Sequence, residues 1–342
     1  MRHFKYSILL AVLGLLFAAW WGYSRSGLAG ALQALSVATI LAIMEISLSF
    51  DNAIVNASIL KPWNVFWQQI FLTLGMVIAV FGMRLLFPLL IVAFAADIGL
   101  VEVWTMSLNN PHEYARHLTE HHAEVAVFGG MFLLLVFLNF LLDEDKKLHW
   151  LGGIEARIAD FGKVASIAVM LAIGILLASL KVVEADRQLA VLIAGLWGIL
   201  TYVIVDVVSG ILEMEEEDPA MGDLIKRGGV GGFLYLEVLD ASFSFDGVIG
   251  ALAITKDIVI IMVGLSIGAM FVRSMTVYLV RQGTLDKFVY LEHGAHYAIG
   301  ILAFIMLASM KFHIPEIFTG LVGVAFILAA LRSSVIYRRN RL

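Results

Sequence analysis

The sequence predicts an all-α polytopic membrane protein with about ten transmembrane helices. Of its 342 residues, 61% are hydrophobic and only 15% are charged, and the mean hydropathy is +0.92. Soluble domains are close to half apolar and a quarter charged. Apolar stretches of about 20 residues recur along the chain, which is the length that crosses about 30 Å of hydrocarbon. They lack the alternating polarity that is typical of the strands of a membrane β-barrel.

Ten apolar segments predict the helices. The first, residues 6–22, follows a basic N-terminus but lacks a small-residue cleavage site, so we expect a retained helix rather than a signal peptide. The others lie near 31–59, 65–96, 124–142, 163–180, 189–211, 230–254, 257–281, 289–310 and 316–336. An even number of spans puts both termini on one side, and the basic C-terminal tail predicts that this side is cytoplasmic.

The chain is expected to form one membrane domain in five parts. These are a first helix and outer connection (1–30), a three-helix repeat (31–142), two linking helices with an acidic cytoplasmic loop (143–229), a second three-helix repeat (230–310), and a last helix with a basic tail (311–342). The absence of cysteine excludes disulfides and thiolate metal sites.

A short polar pattern occurs twice within the apolar stretches. Residues 45–52 read Glu-Ile-Ser-Leu-Ser-Phe-Asp-Asn and residues 240–247 read Asp-Ala-Ser-Phe-Ser-Phe-Asp-Gly, so acid, serine, serine, phenylalanine and aspartate fall in register. A charged side chain at membrane depth costs about 2.5–3.5 kcal/mol or more, so such residues rarely persist without a function or a partner. The duplication therefore predicts a cation site.

The repeat extends beyond this motif. After each copy come a glycine, an arginine nine residues later and then a histidine: Gly75, Arg84 and His122 in the first half, and Gly264, Arg273 and His293 in the second. In the predicted topology the two motif helices have opposite orientations. The order predicts an inverted repeat of three helices plus three, an arrangement in which transporters bind their substrate near the membrane midplane.

The sequence resembles a known family at these motifs. Glu-x-x-x-Ser-Phe-Asp-Asn-Ala begins at Glu45, and Phe-Ser-Phe-Asp-Gly-Val-Ile-x-Ala begins at Phe243. Both resemble the motifs of TerC-type integral membrane proteins, and the likeness is greatest to a TerC-related branch named only as a domain of unknown function. The resemblance covers most of residues 31–310. It implies a metal-ion transporter of the inner membrane, with manganese efflux as the best-supported activity and a link to tellurite and metal stress.

The resemblance also implies which acids belong to the site. Carried over by position, the motif residues are Glu45, Asp51 and Asn52 in the first half and Asp240 and Asp246 in the second. Two departures argue against strict symmetry. Gly247 stands where the first copy has Asn52, and an additional acid, Glu237, lies about one turn before Asp240.

The oxygen-rich motifs suit a hard divalent cation. Candidate ligands are Glu45, Ser49, Asp51, Asn52, Glu237, Asp240, Ser244 and Asp246. Carboxylate, amide and hydroxyl oxygens favour Mn²⁺, Mg²⁺ or Ca²⁺, whereas zinc and copper favour histidine and sulfur. On a straight helix Glu45 and Asp51 point about 120° apart. Either the helix is broken there, or Asp51 serves a different partner; we predict a break in both motif helices.

Five further residues are candidate charge partners or proton carriers: Arg84, Arg273, Asp206, His122 and His293. The two arginines either neutralise motif acids when no cation is bound or extend to the membrane interface. Each histidine is a metal ligand, a proton carrier or an interface residue, and Asp206 either carries a proton or bonds a neighbouring helix. The His- and Glu-rich outer loop at 97–123 is either solvated or captures metal.

Together these features predict a secondary transporter that exports a divalent cation, with manganese favoured, through acids at the bilayer midplane. The cation is the transported ligand, and no prosthetic group, nucleic-acid partner or ATP-binding loop is expected. Transport of another cation such as calcium, and a membrane metal-stress scaffold or sensor, are the alternatives; a homo-oligomer or a stress-protein partner stays open.

An enzyme is not expected. An intramembrane metalloprotease would need His-Glu-x-x-His on a helix, whereas His112 and His117 are five residues apart in an expected loop.

Overall fold

The computed structural model describes residues 4–96, 98–144, 146, 148–164, 166–213, 229–283, 287–312 and 314–339. Within these ranges the regular structure is entirely helical. Seven of the described helices are long and apolar enough to cross a membrane, or eight if the bent pair 153–162 and 167–182 forms one span. A polytopic helical membrane protein is thereby confirmed at this coarse level, while the count of ten stays a prediction.

The helices, in chain order, are α1 Lys5–Leu48, α2 Phe50–Leu60, α3 Val65–Val77, α4 Phe87–Ala96, α5 Leu100–Asn109, α6 Pro111–Glu120, α7 His122–Leu141, α8 Gly153–Ala159, α9 Ile167–Ser179, α10 Gln188–Glu213, α11 Val230–Ile254, α12 Ile258–Arg281, α13 Leu291–Ser309 and α14 Glu316–Arg339. A π-helical stretch, Ile78–Leu86, joins α3 to α4 without interruption. The acidic loop predicted near 213–218 lies almost wholly outside the described residues.

Helix α1 consists of two antiparallel segments joined by a sharp bend. Ser26 and Gly27 have non-helical backbone angles, and Gly27 has φ 62° and ψ −149°, a region that is essentially restricted to glycine. Gly22 and Gly30 face each other so closely that a Cβ on either would overlap the carbonyl oxygen of the other. The chain therefore reverses between the first two predicted spans.

Both segments of α1 pack on α12. The Ser7 hydroxyl donates to the Met270 carbonyl at 2.9 Å, in the middle of α12, and the Trp21 indole donates to Asp257 at 3.0 Å, just before its start. The first segment runs antiparallel to α12, whereas the second runs parallel to it. The second segment places Leu41 against Gly264 and Glu45 against Gly268, so it carries the first motif to the middle of α12. Small side chains line this contact, as is usual where membrane helices approach closely.

Most of the segment predicted as an outer loop, 97–123, forms helices that pack on the bundle, so the prediction of a loop was wrong. It contains α5 and α6, and Val103 and Tyr114 from these helices are fully buried in an apolar cluster with Leu265 of α12. A proline at the first position of α6 and a glutamate in its first turn explain why a helix begins there. His112 and His117 therefore lie on a helix, but with a spacing of five residues they point to different faces.

Candidate functional site

The first motif lies at a one-residue kink. Helix α1 ends at Leu48, α2 begins at Phe50, and Ser49 between them has φ −97° and ψ 19°. The Ser49 amide still donates to the Glu45 carbonyl at 3.0 Å, and the Ala53 amide donates to the Ser49 carbonyl at 3.3 Å. The break predicted for this copy is therefore present as a mild kink rather than as unwound backbone.

The break predicted for the second copy was wrong. Residues Val230–Ile254 form one continuous helix through the whole motif. Most side chains from Gly231 to Ser244 are buried among other helices. Away from water, a carbonyl freed by unwinding would need another protein partner, so the regular helix is the cheaper arrangement.

A cavity of about 380 Å³ opens beside the kink. The first motif contributes four oxygen-bearing side chains to its lining, Glu45, Ser49, Asp51 and Asn52, and the second contributes Phe243 and Gly247. The kink thus turns Glu45 and Asp51 toward one space, although they lie about 120° apart on a straight helix. The cavity extends to the end of the bundle where α7 begins and where α11 and α13 end.

Asp51 is held between its own helix and α14. One carboxylate oxygen, Oδ1, accepts a hydrogen bond from the Asn52 amide at 3.0 Å. The other, Oδ2, lies against Gly323, where an added Cβ would stand only 2.5 Å away. Asn52 itself is only 6% exposed. Helix α14, which lies outside the two predicted repeats, therefore forms one wall of the site.

Glu45 is the most deeply buried acid of the first motif and is paired with Arg84. Its Oε1 accepts from Arg84 Nη2, and the Ser49 hydroxyl lies 3.4 Å from the same oxygen. Arg84 Nη1 donates to the Ala79 carbonyl at 2.8 Å. Two glycines of the second half, Gly247 and Gly268, lie against the Glu45 side chain. Arg84 therefore neutralises a motif acid inside the bundle and does not extend to the interface.

In the second half, Arg273 pairs with Glu237 and with Asp240 of the motif. The guanidinium Nη2 lies 3.4 Å from Glu237 Oε1 and 3.5 Å from Asp240 Oδ2, and all three side chains are buried. The closer contact of Arg273 is with Phe71, where Nη1 donates to the carbonyl at 2.5 Å and the guanidinium lies 4.2 Å above the ring. Gly75 makes room for this group.

The two sets of charges meet across the halves. Arg84 pairs with Glu45, and the π-helical stretch that carries Arg84 packs on α11, which carries Asp240. Three carboxylates, of Glu45, Asp240 and Glu237, and two guanidiniums, of Arg84 and Arg273, are therefore buried on neighbouring helices. Glu237 and Asp240 do not line the cavity, so among the described side chains only the first motif brings acids to it.

Ser244 and Asp246 are the remaining candidate ligands of the second motif. Ser244 is buried, and its hydroxyl has no hydrogen-bond partner among the described residues. Asp246 belongs to α11, but its side chain lies outside what the structure describes. Whether Asp246 joins Asp51 near a cation therefore stays a prediction.

The remaining candidates lie in separate places. His122 lines the cavity at the start of α7. His293 lies at the opposite end of α13, where its Nε2 is 2.8 Å from the Leu148 carbonyl and 3.7 Å from Glu155. Asp206 is half-buried on α10 and does not line the cavity. The repeated histidines are therefore not brought together.

Sequence reasoning missed two basic residues of the cavity. Lys256, between α11 and α12, and Lys311, just after α13, both line it near its open end. Each follows the apolar end of a helix, so the signal was a lone lysine at a span boundary, which is ordinary in membrane proteins. Among the described residues no group of three or more His, Cys, Asp or Glu side chains is arranged to hold a metal ion. A cation in the cavity would therefore need the serine and amide oxygens as well.

Fold and site define the class as a polytopic helical membrane protein with a polar cavity beside buried, arginine-paired acids. A family described as "Protein of unknown function (DUF475)" matches residues 50–341, and the chain belongs to this family. This confirms the expected membership of a domain family of unknown function, whereas the relation to TerC-type proteins stays a prediction. No curated protein and no solved structure matches the chain.

Proposed function

We propose that the protein is a secondary transporter that exports a divalent cation, with manganese as the favoured substrate. The observation that carries the proposal is the cavity itself, which collects Glu45, Ser49, Asp51 and Asn52 around the kink. Two carboxylates, a hydroxyl and an amide are the donors that Mn²⁺, Mg²⁺ and Ca²⁺ accept, and bound water can complete their coordination. The cation is cargo, and the protein's own oxygens replace part of its hydration shell.

Three features support transport rather than a scaffold. Buried acids are costly in a membrane, and a purely structural protein would gain nothing from holding Glu45 beside a cavity. The cavity extends to the end of the bundle where α7 begins, as expected for a protein that exposes its site to one side of the membrane at a time. In each half an acid of the motif forms an ion pair with an arginine of the same half, as expected for an inverted repeat of three helices plus three.

The remaining parts of the proposal follow from sequence. We place the protein in the inner membrane with both termini cytoplasmic, as the basic C-terminal tail favours, and we relate it to the TerC-type proteins through the two motifs. The chain carries no nucleotide-binding loop, so the energy would come from an ion gradient rather than from ATP. We propose no enzymatic activity.

Flux through proteoliposomes tests this function. Purified protein is reconstituted around a trapped indicator, and Mn²⁺, Ca²⁺ and Zn²⁺ are offered in turn. Asp51→Asn and Glu45→Gln keep the shape of the side chains and remove the charge, and each should reduce Mn²⁺ flux by at least about tenfold, equivalent to about 1.4 kcal/mol. Asp186→Asn, on the exposed connection between α9 and α10, is the matched control and should transport like the original chain.

The outcomes separate the alternatives. Faster flux of Ca²⁺ than of Mn²⁺ would change the substrate and keep the class. A reconstituted protein that moves no divalent cation, or two site variants with unaltered flux, would overturn the proposal.

A further inference from the structure

We propose that Arg84 is a displaceable counter-ion. In the structure its guanidinium is paired with Glu45, and binding of a cation at the first motif transfers the guanidinium to Asp240 of the second motif. The inference rests on the proposed transport function and adds to it the residue that couples the two motifs. It assigns Arg84 a positioning role, because the guanidinium would act through Glu45 and Asp240 and would not touch the cation.

The first step is competition for Glu45. Glu45 is only 2% exposed, yet it lines the cavity and is paired with Arg84 at the same time. A divalent cation that used Glu45 as a ligand would bring two further positive charges beside a guanidinium already in contact. Inside a membrane bundle such repulsion is only weakly screened, so the cation and Arg84 exclude each other from Glu45.

The second step is a waiting acceptor. Asp240 contacts Arg273 only at 3.5 Å, which is the outer limit of a hydrogen bond, and Arg273 makes its closest contact with the Phe71 carbonyl. Helix α11, which carries Asp240, packs directly on the π-helical stretch that carries Arg84. Asp240 therefore has unused acceptor capacity on the helix next to the arginine.

The third step is freedom of Arg84 to move. It belongs to the π-helical stretch Ile78–Leu86, whereas Arg273 belongs to a regular α-helix and is fixed against Phe71. π-Helical turns are rare and occur frequently at functional sites. The Arg84 Nε–H is buried without a hydrogen-bond partner in the described part of the chain. A permanent structural pair would be expected to satisfy that donor.

Opposite shifts in cation affinity test the exchange. Mn²⁺ binding is measured by isothermal titration calorimetry on the full-length purified protein in detergent at pH 8. Arg84→Gln removes the competitor and should tighten binding about tenfold, whereas Asp240→Asn removes the acceptor, keeps Arg84 on Glu45 and should weaken binding about tenfold. The double variant should bind like Arg84→Gln alone, because without the arginine the acceptor has no role.

Arg157→Gln and Asp186→Asn remove exposed charges of the same kinds and should bind like the original chain. If Arg84→Gln does not fold, Arg84→Lys replaces it and should also tighten binding, because lysine lacks the reach and fork of the guanidinium. Unchanged affinity in Asp240→Asn, or additive effects in the double variant, would show a fixed ion pair and overturn the exchange. An original chain that binds no divalent cation would instead overturn the transport function.

Discussion

Gly268 of α12 lies directly against the side chain of Glu45. A Cβ at Gly268 would overlap both the Cβ and the Cγ of Glu45 and would stand 2.9 Å from the Ala42 carbonyl oxygen. The absence of a side chain at this position therefore sets how closely α1 and α12 approach at the first motif. The acid is presented to the cavity because two helices meet at a glycine.

Gly268→Ala should destabilise the fold. Because the methyl group meets backbone and the stem of a buried side chain, relief requires the helices to separate, and overpacking of this kind costs about 1–3 kcal/mol. The thermal midpoint in detergent should fall. Gly174→Ala is the matched control, since nothing lies within 4 Å of the new methyl group in α9 and alanine favours helix. Equal midpoints for the two variants would contradict the contact.

Gly323→Ala should weaken cation binding without changing any charge. Its Cβ would stand 2.5 Å from Asp51 Oδ2 and 3.1 Å from Cγ, so the carboxylate must turn away from its present position. We expect Mn²⁺ affinity to fall about tenfold, since ligand geometry decides how well a cation is held. Calorimetric titration measures it, with Gly174→Ala as the control. Unchanged affinity would show that Asp51 is not a ligand in this position.

Much of the fold could be predicted because a bilayer imposes length and polarity on each span. The predicted span at 124–142 corresponds to α7 at His122–Leu141, and the one at 257–281 to α12 at Ile258–Arg281. The helices α5 and α6 were missed because each is only ten residues long, too short to span a membrane, and α6 is rich in polar residues. Asn110-Pro111 and Glu113 were nevertheless a readable helix start.

The site was predictable in its residues and not in its pairing. The duplicated spacing marked Arg84 and Arg273 as related, but it could not show that Arg84 lies on Glu45, 39 residues earlier, rather than on Asp51. That choice depends on the kink at Ser49 and on the π-helical turn, which sets the direction of the Arg84 side chain. Neither deviation has a strong local sequence signature, because both depend on packing between distant helices.

A further buried ion pair, Lys146 with Glu155 at the opposite end of α7 and α13, should contribute to stability. Glu155 is fully buried, and its carboxylate meets Lys146 Nζ at 2.7 Å and the Leu151 amide at 3.0 Å. Lys146→Met leaves the carboxylate without its cation and should cost about 3–5 kcal/mol of stability. Adding Glu155→Leu should recover part of that loss, and thermal midpoints in detergent measure both.

An exposed pair provides the comparison. Arg116 and Glu120 are 2.9 Å apart on α6 with side chains 58% and 48% exposed. Arg116→Met should change stability by less than about 1 kcal/mol, because water and salt screen the pair. Similar losses of stability in Lys146→Met and Arg116→Met would mean that burial does not decide the strength of the Lys146–Glu155 pair.

Asp257 should prove to be a junction between α12 and the first segment of α1. Its Oδ1 accepts from the Val259 amide at 3.0 Å and caps α12, while Oδ2 accepts from the Trp21 indole at 3.0 Å. Asp257→Ala removes both bonds and should cost about 1–3 kcal/mol, the sum of a lost cap and an unpartnered indole. Asp257→Asn keeps the capping oxygen and should lose less, and Trp21→Phe should lose only the second part. Unfolding in detergent should therefore show that Asp257→Ala is the least stable variant and that Asp257→Asn and Trp21→Phe lose less stability. An Asp257→Ala variant as stable as Trp21→Phe would show that the cap contributes nothing.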